Sequence, residues 1–155
     1  MRTATSRARI YADEHGIKHR DLTEKLIGIF FAIYNELGYG FLESVYEQAF
    51  SLSLAENGIF FQRQVALPVF FHGHQIGDFR ADLFVDGKVL VELKAGRAIE
   101  PSWEKQVLNY LRATETEVGM LFNFGPKAEF KRYVFENMKK NPRSSASIRG
   151  REVAG

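Results

Sequence analysis

The chain has 155 residues and a mass of 17.7 kDa, with 45% hydrophobic and 26% charged residues. That is room for one domain with its own core, and it excludes a chain disordered throughout. The absence of cysteine excludes a disulfide scaffold, a thiolate zinc site and a cysteine nucleophile, and fits a reducing, cytoplasmic setting.

No apolar run approaches the roughly 20 residues of a membrane-spanning helix. The basic opening, residues 1–7, lacks the apolar stretch of a signal peptide. A cytoplasmic protein away from membranes is expected.

The net charge of +2 is unevenly spread. Residues 1–20 hold five basic and two acidic groups, and residues 139–155 hold five and one. The middle, 21–138, holds eleven basic against sixteen acidic, a net −5. An acidic middle is not the usual footprint of a protein that grips phosphate backbones. If nucleic acid is the partner, the basic ends supply the attraction or bound cations offset the acids. The chain is accordingly divided into a basic N-terminal segment (1–20), a folded domain (21–138) and a flexible basic tail (139–155) containing the small, polar run 141–147.

The folded part opens with a helix. Asp21 followed by Glu24 has the spacing of a capping box, and Leu26, Ile29, Phe30, Ile33 and Leu37 recur at helical period up to Gly38 and Gly40. A second helix is read over about 42–56, with Val45, Ala49, Leu52 and Leu54 inward and Gly58 as its stop. From Ile59 the period changes to that of strands. Residues 60–67 form one, Pro68 marks an edge or a bend, and Val69, Phe70 and Phe71 lead into a His72-Gly73-His74 turn. Residues 75–85 and 88–95 form a hairpin about Asp86-Gly87. A third helix covers about 102–113. The continuous apolar run 118–124 reads as a buried strand, and 130–135 as the last one. The order is about α-α-β-β-β-α-β-β, an α/β (α+β) sandwich with a mixed central sheet flanked by helices. No glycine-rich loop follows the first strand, which excludes dinucleotide and P-loop folds.

Asp82 interrupts the apolar run 81–85, and Glu92 and Lys94 interrupt 89–94. Charges inside strands are costly unless paired or metal-bound. The bland alternative is a solvent-facing stripe. All three positions are even, so they share a face only if the hairpin loop holds an odd number of residues, as with a glycine bulge at Gly87. A two-residue loop would put Asp82 on the opposite face. Two carboxylates on one face suit a hard divalent cation such as magnesium or manganese. An amine one pitch further on can orient or deprotonate a water and balance phosphate charge.

Asp82 with Glu92-Leu93-Lys94 ten residues later resembles the signature of the PD-(D/E)XK nuclease superfamily. Gly40, Glu43 and Tyr46 match the motif that names the GxxExxY protein family, a bacterial group within it. Gln106 and Tyr110 look like the QxxxY helix motif of its exonuclease-like branch. Phe79 and Arg80 precede Ala81-Asp82, so the proline of the superfamily's name is absent.

The resemblance implies a restriction-endonuclease-like core and metal-dependent hydrolysis of phosphodiester bonds in DNA or RNA, with Mg2+ or Mn2+ as cofactor. It casts Glu43, Asp82 and Glu92 as metal ligands, joined by the Leu93 carbonyl, and Lys94 as the catalytic lysine. Gln106, Tyr110 and Tyr46 would touch the phosphate or support the site. Other roles stay open. A first-turn acid such as Glu43 also stabilises a helix dipole, Tyr46 suits core packing with a tethered hydroxyl, and Glu47, one turn beyond Glu43, reads as a solvated neighbour in preference to an extra ligand. His72 and His74 lack a third ligand nearby, and Trp103 reads as a packing anchor.

The rival reading is a nuclease fold used for binding or assembly without catalysis. Fourteen phenylalanines, several in doublets, exceed one small core's needs and suggest a homo-oligomer.

Overall fold

The computed structural model describes residues 19–136. The N-terminal basic segment up to residue 18 and the tail from 139 lie outside the described residues. Among the described residues, three helices and five strands follow in chain order: α1 (Arg20–Leu37), α2 (Glu43–Glu56), β1 (Phe61–Phe71), β2 (His74–Val85), β3 (Val89–Lys94), α3 (Pro101–Ala113), β4 (Val118–Phe124) and β5 (Ala128–Val134). The expected order and the mixed α+β architecture are both present. Among the described residues no helix is long and apolar enough to cross a membrane.

The strands lie in the order β1-β2-β3-β4-β5. All neighbours are antiparallel except β3 and β4, whose parallel pairing requires the crossover that α3 provides. β4 is buried at every position, Asn123 included, as a central strand covered on both faces must be. β1 is an edge strand, which is why it runs through Pro68 without breaking. Its two-residue connection to β2, His72 and Gly73, has positive φ at both positions, the geometry that matches the twist of paired strands.

Helices cover both faces. On one side Leu26, Phe30, Tyr46, Phe50 and Leu54 of α1 and α2 pack on Leu83, Val91, Phe122 and Phe124. On the other, Val107, Leu108, Tyr110 and Leu111 of α3 pack on Leu90 and Leu121. Odd positions of β3 and even positions of β4 therefore face α1 and α2, while Glu92 and Lys94 fall on the α3 side.

Two local readings are corrected. α1 begins at Arg20 behind His19, with no side-chain cap. Glu24 pairs instead with Arg20 at 3.1 Å, so the capping box does not form. In α2 the inward face is turned from the expected one. Val45 is 38% and Leu52 62% exposed, while Tyr46, Glu47, Phe50, Ser51 and Leu54 are buried. Tyr46, Phe50 and Leu54 follow one another at four-residue spacing and bury more surface than the aliphatic set does. The phenylalanine doublets differ from one another. Phe30 is core and Phe31 is not, while Phe70 and Phe71 both stand in solvent at the β1–β2 tip.

Candidate active site

Val85 pairs with Val89, leaving a loop of three residues, Asp86, Gly87 and Lys88. Asp86 and Gly87 both have positive φ, 53° and 63°, a conformation that glycine takes without strain. The odd count puts Asp82 in register opposite Glu92. Ladder pairing between β2 and β3 stops at Leu83 and Val91. Beyond it the Leu93 N–H donates to Asp82 Oδ2 at 2.8 Å, so a carboxylate takes the place of a strand carbonyl.

The partner strand is irregular at the same level. Arg63 pairs with Leu83 and Val65 with Ala81, but Gln64, between them, has φ 50° and no ladder partner. Past this point Phe79 and Ala81 pack with the α3 group, whereas Leu83 and Val85 pack with α1 and α2.

Glu92 is 5% exposed. Burial, then the Asp82 charge, push its carboxyl up to about 8; Lys94 opposes the shift, and a hydrogen bond with the Asp82 side chain adds to it. Tyr110 is buried above the pair. Burial and the negative charge of Glu92 and Asp82 push its hydroxyl up to about 12, against a hydrogen bond from Gln106 one turn away. The Tyr110 ring stacks on Phe79 with centroids 3.3 Å apart. Asp82, Glu92, Gln106 and Tyr110 thus form one group, with Lys94 next along the strand.

Lys94 is held from below. Its Nζ lies 5.4 Å from the Trp103 ring centroid at the start of α3, a cation–π contact. Trp103 packs against Gly96 so closely that a β-carbon there would lie 2.5 Å from the ring. The buried Asn123 side chain grips the same glycine, accepting its N–H at 2.8 Å and donating to its carbonyl at 3.0 Å. The loop after β3 is therefore fixed, and with it the root of the lysine.

The rotated face of α2 brings in a residue that the sequence reading left in solvent. Glu47 is buried. Its Oε2 accepts from Arg63 Nε at 3.1 Å and its Oε1 from Gln64 Nε2 at 3.0 Å. The same Gln64 nitrogen reaches Asp82 Oδ1 at 3.4 Å. Glu43, one turn earlier, is exposed and makes none of these bonds. Tyr46 lies on the far side of the sheet, in the core. Its ring stacks on Phe124 at 4.0 Å, and its hydroxyl donates to the Gly38 carbonyl at 2.6 Å.

Glu92 Oε2 is buried and meets no hydrogen-bond donor, next to a second carboxylate. That is a donor set suited to a hard cation, and the residues fit one. Among the described residues no three His, Cys, Asp or Glu side chains are gathered into a complete metal cage. Magnesium is commonly held by one or two carboxylates, with waters and substrate phosphates completing its shell.

A comparison with curated proteins found no match. Among solved structures, an alkaline exonuclease from Laribacter hongkongensis aligns with a TM-score of 0.45 and 12% identity, covering 69% of this chain. The chain spans 62% of that exonuclease's length. The protein SSO0001 aligns with a TM-score of 0.45 and 16% identity, over 92% of this chain and 68% of its own. The family model of the PD-(D/E)XK nuclease superfamily matches residues 20–133, from the start of α1 to Tyr133 within β5, and nucleases of that superfamily generally use divalent metals and act on nucleic acid. With its α+β architecture and its mixed sheet, the chain belongs to the PD-(D/E)XK nuclease superfamily.

Proposed function

We propose that this protein hydrolyses phosphodiester bonds of nucleic acid with the help of magnesium or manganese, and that it belongs to the GxxExxY branch. The observation that carries the reading is the Asp82–Glu92 pair. Two carboxyl groups stand in contact, one of them is pushed up to about 8 and has an orphaned buried oxygen, and an amine follows on the same strand face.

Asp82 and Glu92 hold the ion, with the Leu93 carbonyl, which leaves β3 on the same edge as its N–H. Once bound, the ion supplies Lewis acidity toward the phosphoryl group and the attacking water. Lys94 orients that water and offsets phosphate charge, its ammonium steered by the face of Trp103. Tyr110, held neutral, and Gln106 present hydrogen bonds toward the phosphate from α3. Glu43, exposed at the first turn of α2, would be a further ligand. Tyr46 supports the site indirectly, by fixing the Gly38–Phe41 turn ahead of α2. The basic ends supply nonspecific attraction to the backbone, and the bound ion offsets the acidic middle. The homo-oligomer would rest on Phe70, Phe71 and Ile76, each more than half exposed. The reading places the protein in the cytoplasm.

The acidity of residues 21–138 favours a second reading, a binding or assembly module on a nuclease fold. Incubation with end-labelled single- and double-stranded DNA and RNA, in magnesium, manganese or a chelator, separates the two. Metal-dependent cutting lost in Glu92→Gln supports the enzyme. A folded protein that cuts nothing under either metal supports the module.

A further inference from the structure

We infer that Gln64 is a positioning residue that bridges the Glu47 and Asp82 carboxylates and so orients Asp82, proposed above to hold the ion. The inference rests on the metal-dependent reading of the site and extends it to β1 and α2. Gln64 lies on the edge strand across from Asp82. Its φ of 50° is a conformation that residues other than glycine seldom adopt. Arg80 Nη1 anchors its carbonyl at 2.9 Å.

The left-handed turn takes the side chain out of the strand's alternation and sends its amide between α2 and β2. There one nitrogen donates to Glu47 Oε1 at 3.0 Å and to Asp82 Oδ1 at 3.4 Å. A carboxamide NH2 has two protons, one for each acid, and adds no charge of its own. Arg63 occupies the other oxygen of Glu47 at 3.1 Å, so the glutamate is held at both ends and aimed at Asp82. A buried carboxylate without those donors would be costly. The strained backbone at Gln64 is the cost of delivering one of them.

Two variants test this, in thermal unfolding with a chelator or manganese and in calorimetric titration with manganese. Gln64→Glu puts a third carboxylate between the first two. Its melting midpoint is expected to fall by several degrees in chelator and to recover in manganese by more than the parent's midpoint rises. Gln64→Gly keeps the left-handed backbone without strain. It is expected to unfold within a few degrees of the parent and to bind manganese about tenfold or more weakly, the usual loss when a group that orients a ligand is removed. A Gln64→Glu midpoint unchanged in chelator overturns the inference, as does Gln64→Gly binding manganese like the parent, since Gln64 would then be a turn residue only. A lowered Gln64→Glu midpoint with no manganese response in any of the three proteins upholds the placement of Gln64 and overturns the metal reading beneath it.

Discussion

Asp82 Oδ2 accepts the backbone N–H of Leu93 at 2.8 Å. The acid proposed to hold the metal therefore also fastens the strand that carries Glu92 and Lys94. β2 and β3 have stopped pairing by this point, so the side chain closes a ladder that the backbone leaves open. One residue does structural and chemical work, and the two can be separated.

Asp82→Asn keeps an oxygen that can accept from Leu93 but loses the charge that a cation needs. It is expected to fold with nearly the parent's stability while losing manganese binding. Asp82→Ala loses both and leaves the Leu93 N–H unpaired, at a cost of about 1–3 kcal/mol. Urea unfolding beside calorimetry checks the pair. Equal destabilisation of the two variants would contradict the fastening role.

The raised Glu92 carboxyl gives stability a pH dependence. Its ordinary value is 4.5 and its folded value about 8, so in this window the native state holds a proton that the unfolded state has released. Below 4.5 both states are protonated and the group contributes nothing. As pH rises from 4.5 to 8, stability in chelator is expected to fall by up to about 1.4 kcal/mol per unit, and the slope to vanish above 8. Glu92→Gln removes this slope. Melting curves at fixed ionic strength across that range show it.

Manganese binding in the same window must displace that proton. Titration at pH 6.5 in buffers of different ionisation heat is expected to show release of about one proton per ion, and affinity is expected to rise with pH up to about 8. Binding without proton release would place the ion elsewhere.

Much of the architecture was legible because it rests on local signals. The unbroken apolar run of β4 marked its ends at Val118 and Phe124 without error, since no other environment suits seven buried residues in succession. The turn at Asp86-Gly87 was legible too, but its length was not: Lys88 reads as the first residue of the returning strand, and only the condition of one face for Asp82, Glu92 and Lys94 pointed to the odd loop that Asp86, Gly87 and Lys88 form. The face of α2 was not legible in this way. Val45 and Leu52 compete with Tyr46, Phe50 and Leu54 for the core, and the contest is settled by the rings of Phe122 and Phe124, some 70 residues away in the chain. With that face misplaced, Glu47 was assigned to solvent. Its burial depends on Arg63 and Gln64 of a strand that only the folded chain brings near. A signal was present, however. Glu47 lies one position beyond Tyr46, so a face centred on the tyrosine carries the acid to its edge.

Tyr46 and Tyr110, expected together to touch the phosphate or support the site, take separate roles. Tyr46→Phe removes the buried 2.6 Å bond to Gly38 and is expected to cost about 1 kcal/mol with cleavage only slightly slowed. Tyr110→Phe is expected to slow cleavage with little loss of stability. Thermal midpoints set beside cleavage rates for both variants check the division, and a slow Tyr46→Phe enzyme would put that residue back at the site.

The root of Lys94 depends on Gly96. A β-carbon there meets the Trp103 ring at 2.5 Å, so Gly96→Ala must shift the indole beneath the lysine. Overpacking of this kind costs about 1–3 kcal/mol. A Gly96→Ala protein as stable and as active as the parent would show that the loop is free to move.

The most direct measurement compares the parent with Lys94→Ala, following cleavage of end-labelled nucleic acid and manganese binding on the same preparations. Lys94 is cast as orienting the water, with the ion held by Asp82 and Glu92. The variant should bind manganese as the parent does and cut at least about a hundredfold more slowly. Cleavage at the parent's rate by Lys94→Ala would contradict the account.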